Sequence, residues 1–292
     1  MRTGEVVRVN GRARPRRPRR AGLPRLVATD LDGTLVREDY TVSAYTAETL
    51  RRVRDAGVTV VGITGRGPRL IALCAEHVPA AHFLVFSQGA HVVDLDHGGP
   101  PRVLRSDRMP GAAAAEAVRL MEVETGPLQL VTEALDHPGA PLWGEAGVRW
   151  PYPAPFEVRT RADALGVPLL KAFVRAPELS SDDLLDVARR VVPPQLCGAT
   201  HAGLGFVELC PPGVDKGTGL AVVAAALRIP ARDVLVFGDM PNDVPMFAWA
   251  GRGVAVANAH KELLAVADDV TDSNDDDGVA RYLARLLDQA AA

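Results

Sequence analysis

Asp30-Leu31-Asp32-Gly33-Thr34, preceded by the apolar run Leu26-Val27-Ala28, is the stretch that decides the fold of this chain. The apolar run reads as a buried strand, and two carboxylates then stand two residues apart at its carboxyl end. Open parallel sheets bind ligands at that edge. Like charges at close range oppose joint ionisation, so the pair costs free energy unless a cation lies between them. Hard oxygen ligands point to magnesium. The plainer alternative is a turn or helix cap, since Asp and Gly both favour turns.

Outward from this stretch, strand-like and helix-like segments alternate. Thr41 or Ser43 can cap a helix carrying Leu50 and Val53, with Gly57 as its stop. Residues 58–63 are rich in β-branched side chains, as in a strand buried on both faces. A helix over 68–77 and a buried strand over 83–86 follow. This βαβαβ rhythm predicts a parallel sheet with right-handed crossovers. It resumes after Pro212 with a helix over 216–228, a strand over 234–237, a helix over 242–250 and a strand over 253–256. Between them the pattern is α+β: an alternating segment at 92–95, an Ala-rich helix near 111–125, strands at 128–131 and 169–174, a helix capped by Ser180 or Ser181, and two short strands near 196–210. The expected fold is therefore α/β. A Rossmann-like, doubly wound parallel-sheet core spans 25–87 and 211–292, an inserted α+β domain spans 88–210, and a basic tail spans 1–24.

Composition narrows the function. A chain of 292 residues, 47% hydrophobic and with net charge −3, suits a globular protein with a sizeable core and argues against nucleic-acid or membrane-surface partners. No apolar run approaches membrane-spanning length. Cys74, Cys197 and Cys210 are scattered and odd in number, which fits a reducing cytoplasm rather than a disulfide framework. The arginines of residues 1–24, interleaved with Pro and Gly, lack the apolar stretch of a signal peptide. They read as a disordered extension, with a basic arm touching nucleic acid or an acidic surface as the alternative.

Three further clusters end the expected core strands or open the helices after them. Thr64-Gly65-Arg66 brings a hydroxyl and a Gly N–H to the same sheet edge, where a helix start can hold phosphate. It is also ordinary helix-start chemistry. Lys216 is one of only three lysines, beside Lys171 and Lys261, in a chain with 30 arginines. A compact ammonium and a planar guanidinium are not interchangeable in a tight site. Its alternative is a solvated surface position. Gly238-Asp239-Met240-Pro241-Asn242-Asp243 follows the strand over 234–237, and two carboxylates four residues apart share a face as a helix begins. Four acids, a threonine and a lysine thus converge on one edge of one sheet.

Taken in this order, with the block at 253–259 and Ala267-Asp268, Thr271 and Asp277-Gly278 behind them, these motifs resemble the haloacid dehalogenase superfamily, specifically its Cof-type phosphatases with an inserted α+β cap. The resemblance covers about 24–290. It implies a Mg2+-dependent phosphomonoester hydrolase acting on a small phosphorylated metabolite such as a sugar phosphate, FMN or pyridoxal phosphate. Asp30 would be the nucleophile that forms an aspartyl-phosphate. Asp32 would be the acid–base group, lending its backbone carbonyl to the metal. Thr64 and Gly65 would hold phosphoryl oxygens, Lys216 would neutralise their charge, and Asn242 would help position phosphate or metal. Asp30, Asp32, Asp239 and Asp243 would make up the metal site. A phosphomutase of the same fold and a non-enzymatic ligand-binding protein are the alternatives. Gln88 stands where the family usually has Asn, at the first crossing from core to cap. The acidic stretch 272–278 lacks the Gly and Glu offsets of a calcium loop and reads as a solvated turn. Residues 150–153 read as fixing a cap loop, with the substrate pocket as the alternative.

Overall fold

The computed structural model describes residues 22–151, 154–203 and 205–291. Most of the expected basic tail, and Tyr152 and Pro153 of the expected cap loop, lie outside the described residues. In chain order the first half contains β1 (Leu26–Asp30), α1 (Ala44–Asp55), β2 (Thr59–Ile63), α2 (Ile71–His77), β3 (Phe83–Phe86), β4 (His91–Asp94), β5 (Arg102–Ser106), α3 (Gly111–Thr125), β6 (Gln129–Glu133) and β7 (Leu142–Gly144). The second half contains β8 (Phe156–Val158), α4 (Arg161–Ala164), β9 (Lys171–Arg175), α5 (Ser181–Val191), β10 (Gly198–Gly203), β11 (Phe206–Cys210), α6 (Lys216–Leu227), β12 (Val234–Gly238), α7 (Val244–Trp249), β13 (Arg252–Val256), α8 (Lys261–Leu264), β14 (Asp269–Thr271) and α9 (Gly278–Gln289).

Two sheets result. The larger has the order β14-β13-β12-β1-β2-β3-β4-β5, parallel from β14 to β3, so β1 sits in the middle with β12 and β2 as its neighbours. Period-two alternation splits each strand between two helical layers. Val27, Val60, Leu84 and Leu235 face Leu50, Val53, Leu283 and Leu287 of α1 and α9. Leu26, Ala28, Val61, Ile63 and Val236 face Leu220, Val223 and Met246 of α6 and α7. Burial on both faces accounts for strands that are apolar throughout rather than alternating. The second sheet, β10-β11-β9-β6-β7-β8, holds its own core with α3 and α5.

One expected boundary is corrected. Residues 88–106 do not join the second sheet. β4 pairs antiparallel with β3, and β5 with β4, so this hairpin extends the core sheet at its edge. The alternating pattern at 92–95 signals an antiparallel strand but does not say which sheet it joins. The stretch 272–278 is also more than a solvated turn. Asn274 is buried and donates from Nδ2 to the Val36 carbonyl at 3.0 Å, and Asp277 accepts from Ser43, Thr46 and Arg37. Among the described residues, no helix is long and apolar enough to cross a membrane.

Candidate active site

Parallel strands that all end at one edge bring their following residues together. Asp30 is the last residue of β1, Thr64 follows β2, Asp239 follows β12, and Lys216 opens α6. The buried ammonium of Lys216 donates to Asp30 Oδ1 and to Asp243 Oδ1, each at 2.6 Å. Oxygen atoms of Asp30, Asp239 and Asp243 lie within 4.8 Å of one another. Asp239 and Asp243 are also held from behind. Thr34 Oγ1 donates to Asp239 Oδ1 at 2.8 Å, and Asp243 Oδ2 accepts the backbone N–H groups of Asp239 (2.9 Å) and Met240 (3.0 Å). Gly33, at φ +80°, is needed here, because a Cβ would stand 2.4 Å from Asp239 Oδ2.

The electrostatics are unbalanced. Three buried carboxylates share one ammonium. Burial, with the neighbouring Asp243 and Asp239, pushes the Asp30 carboxyl well above its ordinary range despite Lys216. Burial and Asp243 push Asp239 up to about 6. Burial works against the charge of Lys216, yet Asp243 and Asp30 outweigh it and raise the ammonium. Such a set of hard, mutually repelling oxygen donors fits a divalent cation.

Asp32 is not brought into this group. Its half-exposed carboxylate forms a forked pair with Arg66, with Nε to Oδ2 at 2.9 Å and Nη2 to Oδ1 at 2.5 Å. Thr64 is buried, and its Oγ1 accepts the Arg66 N–H at 3.0 Å. Asn242 donates from Nδ2 to Gln88 Oε1 at 3.2 Å.

Sequence reasoning missed a set of charged residues that the inserted sheet turns toward the core: Glu133, Lys171 and Glu208, all buried. A signal existed. Lys171 stands in the apolar run 169–174, and Glu208 stands in 206–210 between Val207 and Leu209. A charge inside an otherwise apolar strand needs a partner across an interface. Arg66 lay inside a quoted motif, but nothing in its spacing indicated that it would take hold of Asp32.

A family model for haloacid dehalogenase-like hydrolases matches residues 27–136 and 156–283. A 5-amino-6-(5-phospho-D-ribitylamino)uracil phosphatase of Bacillus subtilis is 26% identical, over 89% of this chain and 97% of its own. A phosphoglycolate phosphatase of Methanopyrus kandleri is 28% identical, over 91% and 99%. Among solved structures, a phosphatase of the haloalkanoate superfamily from Bacteroides thetaiotaomicron superposes with a TM-score of 0.74 at 24% identity, covering 92% of this chain and 97% of that one. Together with the edge cluster of Asp30, Asp239, Asp243 and Lys216, the family match over both halves of the core shows that this chain belongs to the haloacid dehalogenase-like hydrolases.

Proposed function

We propose that the protein is a Mg2+-dependent phosphomonoesterase that hydrolyses a small phosphorylated metabolite through a phosphorylated Asp30. The observation that carries this reading is the Asp30 carboxylate, buried and held by Lys216 at 2.6 Å, with Asp239 and Asp243 beside it. The likeness to relatives named as phosphatases of small phosphate esters supports the substrate class.

An anionic nucleophile must approach an anionic ester. At ~4 Å two unit charges repel by about 4 kcal/mol at an effective dielectric near 20. Lys216 offsets part of that, and its pairing with both Asp30 and Asp243 holds the nucleophile oxygen still. Asp30, Asp239 and Asp243 would hold the metal, together with the Asp32 carbonyl, and Mg2+ would supply charge neutralisation for nucleophile and phosphoryl oxygens.

In the first displacement an Asp30 oxygen forms a bond to phosphorus while the ester P–O bond breaks, and the Asp32 carboxylic acid gives its proton to the departing alkoxide. In the second, water attacks phosphorus, Asp32 takes its proton, and the bond from phosphorus to the Asp30 oxygen breaks. Inorganic phosphate and free Asp30 result. Asp32 must leave Arg66 to carry a proton, so substrate entry separates that pair. Thr64 Oγ1 and the Gly65 N–H bind the phosphoryl oxygens, with Asn242 beside them.

The test is hydrolysis of p-nitrophenyl phosphate and a panel of sugar phosphates with Mg2+. Asp30→Asn is expected to lower kcat at least ~10,000-fold, as loss of a covalent nucleophile does, while its melting temperature is maintained. Lys216→Met is expected to cost roughly 100- to 1000-fold, as loss of one preorganised charge partner does. Activity retained by Asp30→Asn refutes the assignment.

A further inference from the structure

The inserted sheet reaches the phosphoryl edge through an unbroken line of hydrogen bonds. Lys171 on β9 donates to the Gly65 carbonyl of the core and to Glu208 Oε1 of β11, the latter at 2.8 Å. Glu208 Oε2 accepts from Gln88 Nε2 at 2.7 Å, and Gln88 Oε1 accepts from Asn242 Nδ2 at 3.2 Å. Glu133, opposite Lys171 in the ladder, places a second carboxylate 3.8 Å from the ammonium. Lys171 and Glu208 have side chains only 2% and 4% exposed, so apposition of the two sheets removes both from water.

Gln88 is a link between the two bodies, beside the direct contact of Lys171 with the Gly65 carbonyl. It lies in the turn after β3 with φ 57° and ψ 24°, a left-handed backbone that Asn adopts more readily than Gln. The extra methylene of Gln lets a single amide meet Glu208 on one side and Asn242 on the other. Asn242 in turn neighbours Asp243, whose carboxylate holds Lys216. An Asn at 88 would keep the backbone and shorten the reach.

We propose that Gln88 is a positioning residue that couples the inserted domain, through Glu208 and Lys171, to the placement of Asn242 at the phosphoryl site. The inference rests on the phosphatase reading above. Gln88 touches neither the nucleophile nor the leaving group in this scheme, so its effect is common to every ester.

Steady-state rates of the full chain on p-nitrophenyl phosphate and on a pentose 5-phosphate, with Mg2+, test it alongside calorimetric binding of inorganic phosphate. Gln88→Asn is expected to lower kcat on the order of 100-fold, the scale of a displaced positioning group, by the same factor on both esters. It is expected to weaken phosphate about tenfold, the worth of one hydrogen bond to a charged group. Because the residues act in series, Gln88→Asn combined with Asn242→Ala should be no slower than Asn242→Ala alone. Glu208→Ala leaves Lys171 with only Glu133 and the Gly65 carbonyl and should destabilise the fold, but well below its melting temperature its rate loss should match that of Gln88→Asn. Losses that multiply in the double variant, a loss confined to one ester, or unchanged kcat overturn the proposal. If the wild type hydrolyses neither ester, the phosphatase reading fails by that result. Equal phosphate affinity in wild type and Gln88→Asn then overturns the coupling on its own.

Discussion

Asp239 is a buried carboxylate whose ionisation is resisted by burial and by Asp243, and its pKa of about 6 sets a testable sign. Its folded value lies above the ordinary Asp value. Its contribution to metal-free stability is therefore fully present below pH ~4 and lost as pH rises through about 6. Asp239→Asn lacks that charge while keeping an oxygen to accept from Thr34. In chelator-treated protein the variant should melt higher than wild type at pH 8, and the difference should vanish toward pH 4. Mg2+ should reverse the order. At a hundredfold excess over Kd it stabilises wild type by about 2.7 kcal/mol, an effect the variant should largely lose. A pH-independent difference between the two would show that the acidic cluster is not electrostatically strained. At this scale the sequence was legible because carboxylate pairs follow two separate core strands, which turn chemistry alone explains poorly. Asp30, Asp239, Asp243 and Lys216 were all identifiable, and the structure brings them together. Asp32 stands apart, paired with Arg66, because a flexible arginine's choice of partner leaves no periodic trace.

Lys216 reaches Asp30 only because α6 begins where it does. Asp215 caps the helix, accepting the Thr218 N–H at 2.7 Å while its own N–H donates to Thr218 Oγ1 at 3.0 Å. The first turn then lies against the turn that follows β3, where Gly89 has φ +107° and its missing Cβ would stand 2.1 Å from the Asp215 carbonyl. Gly89→Ala therefore combines a disallowed backbone with a backbone clash. It is expected to cost about 1–3 kcal/mol and to lower kcat by moving Lys216, measured as a lowered denaturant midpoint with reduced turnover. Wild-type stability and rate in this variant would show that the helix start tolerates displacement. Among elements, the long apolar strands of the core and the capped helices α1 and α5 were legible from run length and caps. The three-residue strands β7 and β8 carry little pattern, and β5 is half-exposed at the sheet edge, so neither periodicity nor burial marked them. Helix α9 packs its apolar stripe on α1, but the acidic turn before it carries no sequence mark of its partners Ser43 and Arg37.

For the molecule as a whole, an insertion between β5 and α6 folds its own sheet and sets Lys171 and Glu208 on the loops beside the acidic edge. Alternating βα rhythm broken by an α+β stretch revealed this plan. The point at which the chain leaves the core did not show, since a β-hairpin reads the same in either sheet. The contact between sheets was legible only in part: a charge inside each of two apolar strands calls for a partner, but the partners lie many residues away and no spacing identifies them. What the assembly accomplishes reduces to whether phosphorus is ever bonded to Asp30. Acid quenching during turnover of a sugar phosphate with Mg2+, borohydride reduction and peptide mass spectrometry measure this directly, since reduction of an acyl phosphate converts aspartate to homoserine. Homoserine at position 30, absent without substrate, is the predicted result. Unmodified Asp30 from enzyme that is demonstrably turning over, or homoserine at another acid, would contradict the account.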